Sequence, residues 1–94
     1  MATYIMLSSI TPQGAKTIKS RPERIKEVNK EVEGMGGKVV AQYATLGPYD
    51  FVTVLEAPDN ETAAKISLEI GARGSVSILT LTAIPVDLFI TKII

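Results

Sequence analysis

Lys38-Val-Val-Ala-Gln-Tyr-Ala-Thr-Leu46, Gly47-Pro-Tyr-Asp50 and Phe51-Val-Thr-Val-Leu-Glu56 form the stretch that decides the fold. Two runs rich in β-branched and aromatic residues flank a four-residue cluster of turn formers. Pro48 presets φ at the second turn position, and Gly and Asp are common turn residues. The stretch reads as a β-hairpin. A tight turn closed by Gly47 and Asp50 pairs Leu46 with Phe51, Ala44 with Thr53, Gln42 with Leu55 and Ala41 with Glu56. One face then carries Val40, Gln42, Ala44, Leu46, Phe51, Thr53 and Leu55. The other carries Val39, Ala41, Tyr43, Thr45, Val52, Val54 and Glu56. Neither face is polar, whereas an antiparallel sheet with one wet face alternates cleanly.

Upstream, Thr3 to Ile10 reads as a strand. Thr11 and Pro12 give an N-cap and a proline at the first helical position. Ala15 and Ile18 continue the apolar spacing until Pro22 forces a kink or a restart, with Ser20 and Glu23 at capping-box spacing. Ile25, Val28, Val32 and Met35 lie on one helical face. Gly34, Gly36 and Gly37 end that helix. Downstream, Asp59 or Asn60 caps a second helix with a broad apolar face of Ala63, Ala64, Ile66, Leu68 and Ile70. Gly71 and Gly74 close it, and Ser75 to Ile84 forms a fourth strand. A tail from Val86 to Ile94 is a short helix or a fifth strand. The order is β-α-β-β-α-β in one domain spanning residues 1–94. The expectation is an α+β, ferredoxin-like plait: a four-stranded antiparallel sheet with two helices on one face.

Two helices cover one face of such a sheet. The other is left apolar, with Thr, Ser, Gln and Tyr scattered through it, the composition of a buried interface or a ligand pocket. Leu88, Phe89, Ile90, Ile93 and Ile94 make the tail apolar as well. Hydrophobic residues form 46% of the chain and the mean hydropathy is +0.23, high for so small a soluble domain. A monomer of 10.1 kDa exposes roughly 5,300 Å². The sequence therefore predicts self-association through the sheet, as a homodimer or a larger ring.

Lys+Arg and Asp+Glu both count 10, and the basic residues of 16–30 are interleaved with Glu23 and Glu27, which argues against a nucleic-acid partner. No apolar run approaches the ~20 residues of a membrane span, and the N-terminus lacks a signal-peptide pattern. Cytoplasm is the expected location. There is no His and no Cys, so imidazole bases, Cys–His nucleophiles and zinc or copper sites are not expected. No metal and no cofactor is expected.

The remaining chemistry rests on few residues. Tyr43 and Glu56 share a face in the expected register, diagonal to one another at roughly 7–8 Å. They are the candidate catalytic pair, a phenol and a carboxylate able to position or deprotonate a carbon acid; the bland alternative is an edge-strand Glu in water. Tyr4 is a core or a pocket-lining residue. Tyr49 and Asp50 are ligand-binding candidates, set against a ring packed on the hairpin and a carboxylate capping the turn. Gly47 serves backbone geometry. Arg73 is an anion contact or complements a helix C-terminus.

The chain resembles the GYD-domain family. The resemblance spans nearly all of it and rests on Leu7-Ser8-Ser9-Ile10-Thr11-Pro12-Gln13-Gly14, Arg21-Pro22-Glu23-Arg24, Gly36-Gly37-Lys38-Val39, the turn Gly47-Pro48-Tyr49-Asp50, and Glu56-Ala57-Pro58-Asp59. It implies a ferredoxin-like fold of the dimeric α/β-barrel type and no particular activity. Two functions follow as expectations. One is a homo-oligomeric module that binds a small organic molecule. The alternative is a cofactor-independent isomerase or monooxygenase of that fold type.

Overall fold

The computed structural model describes residues 1–94. Strand β1 (Ala2–Ile10) lies inside a four-stranded sheet. It pairs antiparallel with β3 (Phe51–Ala57) on one side and with β4 (Val76–Ala83) on the other. Strand β2 (Lys38–Ala44) pairs antiparallel with β3, so the order is β2-β3-β1-β4. Helices α1 (Pro12–Ser20) and α2 (Arg24–Gly34) fill the first crossover, and α3 (Asn60–Gly71) the second. This is the expected ferredoxin-like plait. The sheet is open, with β2 and β4 as edges, so it does not close into a barrel. The tail forms a short helix, α4 (Val86–Lys92), rather than a strand.

Local chemistry explains the boundaries. The Thr11 hydroxyl oxygen accepts from the Gly14 N–H at 3.1 Å, and Pro12 opens α1. The helix does break at Arg21-Pro22, but not through a capping box. Ser20 donates back to the Lys16 carbonyl at 3.0 Å, and α2 starts without a side-chain cap. Asp59 caps α3 by accepting from Thr62 N–H at 2.8 Å. Gly36, at φ +99°, turns the chain out of α2.

The core lies between the sheet and its helices. Tyr4, Met6, Leu55 and Ala57 rise from the strands to meet Val32 of α2 and Ala63 and Ile66 of α3. Two expected helical faces are narrower than the sequence suggests. On α1 it is Gly14, not Ala15, that is buried; on α3, Leu68 is 74% exposed and Ala64 faces water.

The hairpin corrects the expected register. Ala44 pairs with Phe51, Tyr43 with Val52, Gln42 with Thr53 and Ala41 with Val54. The connection is a longer loop, residues 45–50, closed by Thr45 N–H donating to the Asp50 carbonyl at 2.8 Å. A shift of two residues preserves which side chains share a face. A bulge beside Val40 does not. It brings Val39 opposite Leu55, on the helix side, and Lys38 opposite Glu56.

The surface is large for the mass. It measures 6202 Å², about 900 Å² above the roughly 5,300 Å² of a typical monomer. Part of the excess lies in the tail that carries α4, where every residue from Ile84 to Ile94 is exposed.

Candidate functional site

Side chains alternate across a strand. Tyr4, Met6 and Ser8 are buried beneath the helices, so Ile5 and Leu7 face the opposite way. Ile5 lies between Val54 and Leu81, and Leu7 between Val52 and Leu79. These six aliphatic side chains form one continuous patch, with Ala41 and Tyr43 beyond them on β2. Leu79 is 47%, Leu81 45% and neighbouring Tyr43 61% exposed, while Ile5, Leu7, Val52 and Val54 are partly exposed. Thr3, Lys38 and Glu56 supply a polar rim at one end.

A second feature lies on the other side of the sheet. A half-open cavity of about 140 Å³ lies between the α1–α2 pair and the strands. Ile18, Ile25 and Val28 form its roof, and Phe51, Val76 and Ile78 part of its floor. Along β2 and β3 one wall is polar. Asn29 Nδ2 donates to Gln42 Oε1 at 2.8 Å, and Gln42 Nε2 donates to Thr53 Oγ1 at 3.1 Å. Arg24 and Arg73 border the cavity, each side chain about one-third exposed. The Glu31 carboxylate bridges them, 2.7 Å from Arg24 Nη1 and 2.6 Å from Arg73 Nη2. The Arg24 hydrogen bond is the main cause holding the Glu31 carboxyl below its ordinary pKa, with Arg73 adding to it. The same bond to Glu31 raises Arg24.

The candidate residues scatter around these two features. Tyr4 is 2% exposed and belongs to the core; its hydroxyl donates to Asn60 Oδ1 at 2.6 Å, at the start of α3. Tyr43 lies on the open face. Glu56 is on that face too, but the true register sets it opposite Thr3 and Lys38. Tyr43 is opposite Val52, and the four residue steps from Val52 to Glu56 span roughly 13 Å. The phenol and carboxylate therefore do not meet. Tyr49 sits half-buried in the hairpin loop, its carbonyl accepting from the Thr45 hydroxyl at 2.7 Å. The Asp50 carboxylate is bonded not to its own turn but to β1, where Oδ2 accepts from Ile10 N–H at 2.7 Å. Arg73 is paired with Glu31 rather than left for an external anion. No group of His, Cys, Asp and Glu is placed to hold a metal, and no helix is long and apolar enough to cross a membrane.

The GYD domain family matches residues 4–93. The chain belongs to the GYD-domain family. It is 54% identical, over 99% of each chain, to a Thermus thermophilus protein named "Glutamine synthetase and cystathionine beta-lyase binding protein". Its fold is also similar to the crystal structure of TTHA0845 from Thermus thermophilus, with a TM-score of 0.58 at 22% identity, covering 90% of this chain and 95% of that one.

In this GYD domain the turn that carries the family's residues is a structural joint. Gly47 adopts φ +118°, Ser9 Oγ donates to the Pro48 carbonyl at 3.2 Å, and Asp50 binds β1 through both its N–H and its carboxylate. The helix-side cavity was not foreseen. Its one signal in the sequence was Gln42 and Thr53 sharing a face with Phe51 and Leu55, polar groups that only an interior with its own hydrogen bonds accommodates.

Proposed function

We propose that this GYD-domain protein is a non-catalytic binding protein of the cytoplasm. Copies associate through the open sheet face, as a homodimer or higher oligomer, and the assembly engages an enzyme partner. The observation that carries the reading is the uncovered patch of Ile5, Leu7, Val52, Val54, Leu79 and Leu81. An apolar surface of this kind is a docking surface rather than a solvated one. The chain exposes about 900 Å² more than a typical monomer of its mass, and the exposed tail carries part of that excess.

The name of the 54% identical relative supports the enzyme partner, with glutamine synthetase or cystathionine beta-lyase as the candidates. Biolayer interferometry of immobilised protein against each purified enzyme tests it. Saturable binding to at least one supports the reading, and binding to neither removes the enzyme partner. The alternative reading, a cofactor-independent isomerase or monooxygenase, draws less support from the register, which sets Glu56 opposite Lys38 rather than beside Tyr43. A small organic ligand has its best home on the helix side of the sheet, away from the docking face.

A further inference from the structure

We infer that the cavity beneath α1 and α2 is a binding site for a small neutral organic molecule: a single ring, about the size of benzene, that carries one hydroxyl or carbonyl oxygen. Four observations fix this class. The first is size. The cavity holds about 140 Å³, close in volume to the ~150 Å³ apolar cavity that takes up benzene. Gly14 and Thr17 line the cavity beside Ile18, and Gly14 admits no larger residue, since a Cβ there would lie 2.0 Å from the Ser75 carbonyl oxygen.

The second is the lining. Ile18, Ile25, Val28, Phe51, Val76 and Ile78 make most of the wall apolar. The third is the polar wall. Each carboxamide has two N–H groups. Asn29 spends one on Gln42, and Gln42 spends one on Thr53. Each keeps a second N–H, and Asn29 Oδ1 is also left without a partner, so the wall has both donors and an acceptor for a ligand hydroxyl, and donors for a carbonyl.

The fourth is charge. Arg24 and Arg73 border the cavity, but both are held by Glu31, and Arg24 also by Glu27. The Glu31 and Glu27 carboxylates offset the two guanidinium charges, so a ligand carboxylate would meet no net positive charge there. A neutral molecule leaves the Glu31 bridge intact. The cavity is on the helix side of the sheet, so it stays available whether or not the open face is occupied, and its test is independent of the oligomeric state.

The experiment is a ¹⁵N NMR titration of the whole chain with phenol, benzene and benzoate. Saturable shifts with phenol at the amides of Val28, Gln42 and Thr53, with benzoate at least tenfold weaker, support the proposal. Val28→Phe should fill the volume and weaken phenol at least tenfold while the spectrum stays dispersed. Should that variant misfold, Gln42→Leu serves instead and should abolish the preference for phenol over benzene. The proposal is overturned by no saturable phenol binding tighter than about 10 mM, by shifts confined to the open face, by benzoate binding as well as phenol, or by a folded Val28→Phe protein that binds phenol as the wild type does.

Discussion

The Asp50 carboxylate accepts a 2.7 Å hydrogen bond from the backbone N–H of Ile10, while its own N–H donates to the Ser8 carbonyl at 2.8 Å. The β1–β3 ladder stops at Ser8 opposite Phe51, so Ile10 N–H lies beyond the last backbone acceptor. A side chain from the hairpin loop extends the ladder. Asp50→Ala removes that acceptor, and a half-buried donor left unpaired costs about 1–3 kcal/mol. Asp50→Asn keeps an oxygen and loses less. Urea unfolding of the two variants checks the order; an Asp50→Ala protein as stable as the wild type would remove the joint's importance.

Gly14 and Gly34 should respond to alanine with opposite signs. A Cβ at Gly14 meets the Ser75 carbonyl at 2.0 Å, whereas nothing lies within 4 Å of one at Gly34. Gly14→Ala must push α1 away from β4, a strain of about 1–3 kcal/mol. Gly34→Ala, in the last position of α2, gains about 0.4–1 kcal/mol by restricting the unfolded chain. Each kcal/mol moves the melting temperature of a domain this size by about 4–8 °C. Calorimetry should therefore find one variant below and one above the wild type.

Glu31 ties α2 to the turn carrying Arg73, and its carboxyl pKa is lowered in the fold by the hydrogen bonds from Arg24 and Arg73. A depressed folded pKa means that the ionised form is favoured by folding. Its contribution is present above the ordinary glutamate value, near 4.5, and is lost as pH falls through the lower folded value. Asp59, lowered by its bonds to Thr62, acts in the same sense. Stability should fall on acidification below about pH 4.5. The difference between wild type and Glu31→Gln should be largest at neutral pH and shrink in acid. Urea midpoints at several pH values check this; a constant difference would contradict it.

The plait was legible because its signals are local. Thr11 with Pro12, the break at Pro22, Asp59, and the β-branched runs on either side of Gly47 each act within a few residues. What sequence missed depends on the third dimension. The bulge at Val40 and the six-residue loop moved Glu56 away from Tyr43, and no periodicity marks a bulge. Asp50 has an acceptor role toward its own turn in sequence, but in space Ile10, forty positions away, is the donor. The cavity forms between α1, α2 and the sheet, and only the polar pair Gln42 and Thr53 on an otherwise apolar face hints at it. The apolarity of both sheet faces was plain, since it follows from alternation alone.

Sedimentation velocity across the micromolar range tests the central claim most directly. The account predicts that the wild-type chain sediments as a dimer or larger, and that Leu79→Lys with Leu81→Lys, two charges on the open face, yields a folded protomer of 10.1 kDa. A wild-type chain that sediments as a lone protomer at every concentration would contradict it.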